Sequence, residues 1–357
     1  MTIYRTGLER KEYMIYPNTD FAANSLITFP GNGELTLEQV RLLLAHEHDD
    51  QTVLELMRKF CLQTTSPDIS KKGMEFLYMN GFYNDLQLLI NKNKKSANKS
   101  NRNWGAVYQL VIDRRLGKHN PHDILKMVRR IKTDESDLKC VIEFVKIAVY
   151  YEISEFGEMG NFLDKLQHLF DDVEDPLLVS YFNIRLYQNL FVYYWVRNEL
   201  IMARKYAFRV LNHTTNIKTK VNLHINLGLT YTFDTYFQGM YHMSEALKLA
   251  KQNDLQRNVN IIENRNIPFL SAHFKRTEGI ETDDRSEQAH LEVAKGNHDK
   301  AAAILDDVPI NSPFRLYYLG LAKKDKNKLL QSYNHFIEKR SDHFFGRLPL
   351  NALKQMV

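Results

Sequence analysis

From residue 35 onward, apolar residues recur at i, i+3, i+4 and i+7 in segment after segment, the spacing that gives a helix one buried stripe. The pattern predicts helices over 35–46, 52–62, 71–82, 84–93, 106–116, 121–131, 135–156, 161–170, 176–197 and 199–212. It continues over 217–233, 239–253, 255–274, 286–295, 298–308, 314–323, 327–338 and 348–357. In the first of these Thr36 is placed as N-cap, with Leu37, Val40, Leu43 and Leu44 inward. No stretch alternates with period two for long enough to compete as a sheet, so the expected class is all-α.

Several helices share one frame. Ala203/Ala207/Val210/Leu211 is followed by Met243/Ala246/Leu247/Ala250, then by Ala301/Ile304/Leu305/Val308 and Leu329/Tyr333/Phe336/Ile337. An aromatic-glycine helix end, YYLGLAK at 317–323, precedes the last of them. Small residues let paired helices pack closely, and recurrence at roughly 34–40 residues indicates a degenerate tetratricopeptide-like superhelical solenoid. An irregular helical bundle is the alternative. The expected organisation is an N-terminal helix-turn-helix-like region over 1–65 and basic linker helices over 66–133. A sensing array then spans 134–345, and a C-terminal capping and dimerisation helix covers 346–357.

Composition agrees with long helices: 15 glycines and 9 prolines in 357 residues are too few for a turn-rich sandwich or barrel. No apolar run reaches the ~20 residues of a membrane span, and the first residues lack the apolar core of a signal peptide. Cys61 and Cys140 share no metal or redox spacing. A cytoplasmic protein with no membrane partner is expected. The net charge of +5 is uneven: residues 1–133 carry 20 Lys/Arg against 14 Asp/Glu, and residues 134–357 carry 28 against 29. A polyanion partner would therefore dock at the N-terminal end, unless the surplus is ordinary scatter. Asn91–Asn103 (NKNKKSANKSNRN), with five cations and no acid, reads as an exposed loop.

Catalytic chemistry is not apparent. GNGEL at 31–35 lacks the third glycine and preceding strand of a dinucleotide site. His46 to Asp50 supplies five metal-ligand types in a row, which cannot all turn toward one ion at a helix end; a solvated terminus is the plainer account. Nothing pairs a nucleophile with a base, so no enzyme, cofactor or metal is expected.

Two polar patterns point to binding. Thr19–Leu44 reads as a short amphipathic helix, a Gly-containing turn and a capped helix, similar to the second half of a helix-turn-helix DNA-binding domain. Asn18, Thr19, Asn24 and Ser25 would reach base edges, while Lys92, Lys94, Lys95 and Lys99 hold phosphates. Farther on, Lys218, Asn222, Asn226 and Thr230 fall at i+4 steps on one helix face. Asn183, Asn189, Asn260 and Asn264 lie on neighbouring helices. Amides on such a face can clamp an extended peptide, or simply form a polar outer surface. Asp342 follows the Phe336/Ile337 stripe by one turn and precedes Phe344 and Phe345, which sets a carboxylate beside an aromatic wall. It either grips a cationic ligand or pairs within its own helix end with Lys339, Arg340 or Arg347. Leu348, Leu350, Leu353 and Met356 give the last helix an apolar side that a second copy would cover.

The helix-turn-helix remnant, degenerate repeats and capping helices together resemble the quorum-sensing peptide receptors of Gram-positive bacteria, and within these the arbitrium receptor family of Bacillus phages. The best-matching stretches are LELMRKFCL (54–62), GLTYTFDTYFQ with the following EALKLAKQN, SEQAHLEVAKGNHDKA (286–301), and YYLGLAKKDKNKLLQSYNHF through RLPLNALKQM. The resemblance implies a cytoplasmic homodimeric regulator that binds operator DNA and favours lysis until a short imported peptide disables it, when lysogeny follows. It also implies a peptide arginine held by Asp342, with Asn311 as a second pocket residue. At other asparagine positions of the family stand Val192, Val196 and Leu229. Two further readings are a peptide-gated module that sequesters another regulator without touching DNA, and a phosphatase-like regulator of response regulators.

Overall fold

The computed structural model describes residues 35–356, so Asn18, Thr19, Asn24, Ser25 and the expected helix-turn-helix lie outside the described residues. Among the described residues every regular element is a helix. In order they are α1 (Leu37–Glu47), α2 (Asp50–Gln63), α3 (Pro67–Met79), α4 (Tyr83–Lys94), α5 (Lys99–Leu116), α6 (Pro121–Arg130) and α7 (Ser136–Glu152). A short 3-10 turn (Phe156–Glu158) leads to α8 (Met159–Phe170), α9 (Pro176–Val196), α10 (Leu200–His213), α11 (Ile217–Thr230) and α12 (Tyr236–Gln252). Then come α13 (Gln256–Ile261), α14 (Ile267–His273), α15 (Arg285–Ala294), α16 (His298–Asp306), α17 (Pro313–Ala322), α18 (Lys326–Asn334) and α19 (Arg347–Gln355).

Local chemistry starts these helices. Thr36 and Gln39 form a reciprocal capping box on α1. Ser66, Asn120, Asp175 and Ser312 each accept backbone N–H groups immediately before a proline at the first helical position. Asp49 caps α2 through Gln51 and Thr52, which holds its carboxyl below the usual range; the five-residue cluster of ligand types is thus a helix junction.

Asn91–Asn103 is not an exposed loop. α4 runs to Lys94 and α5 starts at Lys99, leaving a short turn capped by Asn98. Buried amides do here what an apolar stripe does in the other helices. Asn93 Nδ2 donates to the Ser70 carbonyl and hydroxyl and to the Leu89 carbonyl, and Asn101 Nδ2 donates to Asn93 Oδ1 at 2.7 Å and to the Pro67 carbonyl. A hydrogen-bonded amide can be buried where an unpaired one cannot.

The chain forms two compact units. One comprises residues 35–153 with 161–186, the other 154–160 with 187–356. In the first, α3, α4 and α5 pack consecutively around Phe76, Leu77, Met74, Trp104 and Tyr108, all fully buried, with the Trp104 and Tyr108 rings stacked at 6.0 Å. In the second, each helix packs on the next from α10 to α12 and from α14 to α19, the helix-hairpin habit of a tetratricopeptide-like solenoid. The repeated stripes lie inside it: Ala203, Ala207, Val210, Met243, Ala246, Ala250, Ala301, Leu305, Leu329 and Phe336 are buried.

Close helix approach depends on glycine at two crossings. A Cβ at Gly228 would lie 2.9 Å from the Gly239 carbonyl oxygen and 2.8 Å from Met243 Cε, and one at Gly320 would lie 2.7 Å from Leu329 Cγ. Because a backbone oxygen cannot turn aside, Gly228→Ala should separate α11 from α12 and cost about 1–3 kcal/mol. A urea melt of the intact chain reads this as a lowered midpoint, and an unchanged midpoint would refute the tight crossing.

Two π-turns interrupt the array, at Ile262–Asn266 and at His335–Lys339. The first has a covalent cause: Pro268 has no N–H for the Asn264 carbonyl, which instead accepts the Thr282 hydroxyl at 2.6 Å. The second leads directly into the Asp342 segment.

Candidate functional site

The site lies in the second unit, where the chain after α18 returns to the C-terminal end of α9. The Val196 carbonyl accepts the backbone N–H groups of both His343 (2.8 Å) and Phe344 (3.1 Å), which pins the segment in place. Ser341 holds a left-handed φ of 52°, a conformation that side chains other than glycine and asparagine rarely adopt. That turn aims Asp342 inward. Its backbone N–H donates to the Phe336 carbonyl at 2.8 Å, and its Oδ1 accepts from Phe345 N at 2.9 Å.

Aromatic rings surround this segment. Phe344 packs edge-on to Trp195 (5.9 Å), Phe233 (5.1 Å) and Phe345 (4.9 Å), and Phe345 packs on Phe314 (5.0 Å) and Trp195 (5.7 Å). Phe344 is fully buried, so it is a core ring and not an open pocket wall. Asp342 is buried too, and burial pushes its carboxyl up to about 7 although the Phe345 N–H and the Arg340 charge favour ionisation.

No ion pair joins Asp342 to Lys339, Arg340 or Arg347. Arg347 is engaged elsewhere, its guanidinium 4.1 Å over the Phe233 ring and its Nη1 3.0 Å from Asn198 Oδ1. Arg340 acts at longer range, and burial lowers its own pKa. Among the described residues, Asp342 therefore makes no ion pair with its own helix end. It is a buried acid facing the backbone N–H groups of Phe345 and Phe344, with no ion-pair partner among the described residues.

The amide face is partly as expected. Asn222 and Asn226 are half-buried and Lys218 is exposed on α11, but Thr230 is buried and bonds the Leu227 carbonyl and Arg204, so it leaves that face. Asn258, which the i+4 spacing did not flag, donates to Asn222 Oδ1 at 3.1 Å and extends the row onto α13. Asn264 is tied to Asn260 and to the Asp283 N–H. Asn311 is exposed between α16 and α17, its Oδ1 held by Arg315 at 2.9 Å. Asp342 and Phe344 thus share one pinned segment, while Lys218, Asn222, Asn226 and Asn311 occupy other elements.

Of the basic residues, Lys94, Lys95 and Lys99 project from the α4–α5 turn, whereas Lys92 donates to the Leu62 and Thr64 carbonyls and closes the end of α2. On α19, Leu348 is buried within its own chain beside Pro349 and Ala352. Leu350, Leu353 and Met356 are half-exposed.

Comparison with known proteins gives this arrangement its context. The chain is 24% identical over 275 residues to the AimR transcriptional regulator of Bacillus phage phi3T, covering 73% of this chain and 70% of that protein. It is 21% identical over 234 residues to an uncharacterised protein of Bacillus anthracis, covering 62% of this chain and 86% of the relative. Among solved structures, phAimR-Ligand superposes with a TM-score of 0.76 at 20% identity over 91% of this chain and 98% of that one. A selenomethionine phAimR structure gives 0.65 at 20% identity, over 93% and 88%. These likenesses confirm the all-helical, tetratricopeptide-like solenoid. The profile of the AimR transcriptional regulator-like family matches residues 53–355, and the chain belongs to that family.

Proposed function

We propose that this transcriptional regulator binds operator DNA as a homodimer and is switched by a short, arginine-bearing signalling peptide that Asp342 grips, so as to control phage lysis and lysogeny. The observation that carries the reading is the buried Asp342 carboxyl, which faces the backbone N–H groups of Phe345 and Phe344 and forms no ion pair among the described residues. Leaving an acid in that state is costly, and a guanidinium can supply two parallel hydrogen bonds in compensation. Asn222, Asn226, Lys218 and Asn311 offer amide and cationic groups for a peptide backbone. Lys94, Lys95 and Lys99 supply exposed charge for phosphates, together with whatever residues 1–34 contribute. Leu350, Leu353 and Met356 offer an apolar strip for a second copy. Residence in the cytoplasm of the bacterial host goes with that role.

The test is capture of genomic fragments from phage and host by the tagged full chain, with and without peptide-rich spent medium. Discrete fragments should be enriched without the medium, lost with it, and weakened steeply by salt as counterions are released. Lys94→Ser/Lys95→Ser/Lys99→Ser should weaken capture of all fragments alike. Fragments captured equally with and without medium, at any salt, would overturn the reading.

A further inference from the structure

We propose that the exposed ridges of α10 and α12 form a docking surface for an acidic amphipathic helix of a partner protein. Ile201 (86% exposed) and Phe208 (42%) stand two turns apart on one face of α10, and Phe237 (77%) and Tyr241 (57%) stand one turn apart on α12. These are four of the ten large apolar side chains exposed among the described residues, so exposure here is concentrated rather than scattered. The two ridges meet over the buried His242, whose ring lies 6.0 Å from Phe208 and 5.2 Å from Tyr241. His242 is bonded on its far side to His224, Nδ1 to Nδ1 at 3.1 Å. Burial, with the neighbouring His224 and Arg204, lowers its pKa to about 4, so this floor is uncharged at neutral pH.

The rim is basic. From residue 200 to 233 the chain has five Lys/Arg and no Asp or Glu. Lys205 lies one turn beyond Ile201 on the same face and is exposed. Arg209 is exposed too, its guanidinium 5.4 Å over Tyr187 and 5.7 Å over Tyr206, and Lys248 continues the Phe237–Tyr241 line. Of the nearby carboxylates, Asp234 is bound by Arg204 and Glu245 is half-buried beside His224.

This charge decides the occupant. A second copy, meeting through the same patch, would press Lys205, Arg209 and Lys248 against their own kind. A nucleic acid backbone would satisfy the cations but leave Ile201 and Phe237 against phosphates. A helix with an apolar stripe and acidic flanks satisfies both features.

Fluorescence anisotropy tests this with a labelled designed peptide of about 18 residues, ~27 Å as a helix. It carries Leu and Phe at i, i+3, i+4 and i+7 and Glu on the flanks. A control carries the same stripe with Lys. The full chain should bind the acidic peptide and not the basic one. Ile201→Ser/Phe237→Ser should weaken it by about tenfold or more, which is about 1.4 kcal/mol. Lys205→Glu/Lys248→Glu should reverse the preference. These residues are exposed, so the melting temperature should hold, and so should the response to spent medium. Equal binding of both peptides, or no effect of the variants, would overturn the proposal. So would loss of self-association by sedimentation in Ile201→Ser/Phe237→Ser, which assigns the face to a second copy. Loss of oligonucleotide binding in that variant would assign the face to nucleic acid and overturn it likewise.

Discussion

Arg185→Met is expected to cost about 3–5 kcal/mol of folding stability, because it leaves a fully buried carboxylate without its cation. Glu75 is buried in α3, and its Oε2 accepts Arg185 Nη2 at 2.6 Å together with the Tyr108 hydroxyl. Its other oxygen, Oε1, meets no hydrogen-bond partner among the described residues. The guanidinium is in turn flanked by the Tyr78 ring at 4.4 Å and the Phe144 ring at 5.3 Å, so a methionine fits the space but not the charge. Glu75→Leu alone should also be damaging, since it takes the carboxylate away from the buried Arg185 guanidinium. The double variant Glu75→Leu/Arg185→Met should recover part of the loss, because the desolvation cost of both charges goes with their attraction, while the buried Tyr108 hydroxyl still loses its acceptor. Chemical denaturation of the four chains forms the cycle. A double variant as unstable as the sum of the singles would show that the pair matters by shape and not by charge.

That pair also marks where sequence reading stops. Glu75 and Arg185 are 110 positions apart, and nothing in either local pattern links them. The helices were legible because each carries its own stripe, cap and breaker: Thr36 caps α1 as its position implied, and the small-residue frame from Ala203 to Phe336 is buried in register. The reading of Asn91–Asn103 as a loop failed for a related reason. Periodicity weighs Asn93 and Asn101 as polar and therefore outward, whereas partners on α3 satisfy them inside. Phe344 marks another limit: the sequence sets it beside Asp342, and only the packing of Trp195 and Phe233 shows its ring to be core. The burial of Asp342 was foreshadowed by its phenylalanine neighbours. That no ion-pair partner stands among the described residues was not, because three nearby cations offered one and only the fold shows Arg347 committed to Asn198 and Phe233.

Asp342→Asn is accordingly expected to cost about 2–4 kcal/mol of affinity for a short arginine-bearing peptide, roughly 30- to 1000-fold. The pH dependence separates this from a merely structural role. Burial raises the carboxyl to about 7 from 3.8, so near neutrality the free protein is partly protonated there. A guanidinium binds the ionised form, so peptide binding must expel that proton. Affinity should climb about tenfold per pH unit below 7 and level off above it, and the slope should vanish in the asparagine variant. Folding runs the other way. The native state binds the proton more tightly than the unfolded chain, so this group's contribution is fully favourable below about 3.8 and is lost as pH rises through 7. Asparagine keeps an oxygen for the Phe345 N–H and carries no charge, so at pH 8 the variant should melt no lower than the wild type. A ligand shifts a protein only by its differential affinity for two states, so a variant that grips the peptide weakly should also stay on DNA when peptide is added. Calorimetry across pH 6 to 8 with wild type and variant is the deciding measurement. Equal affinities with parallel slopes would leave Asp342 as the cap of its own turn and move the peptide's cation elsewhere.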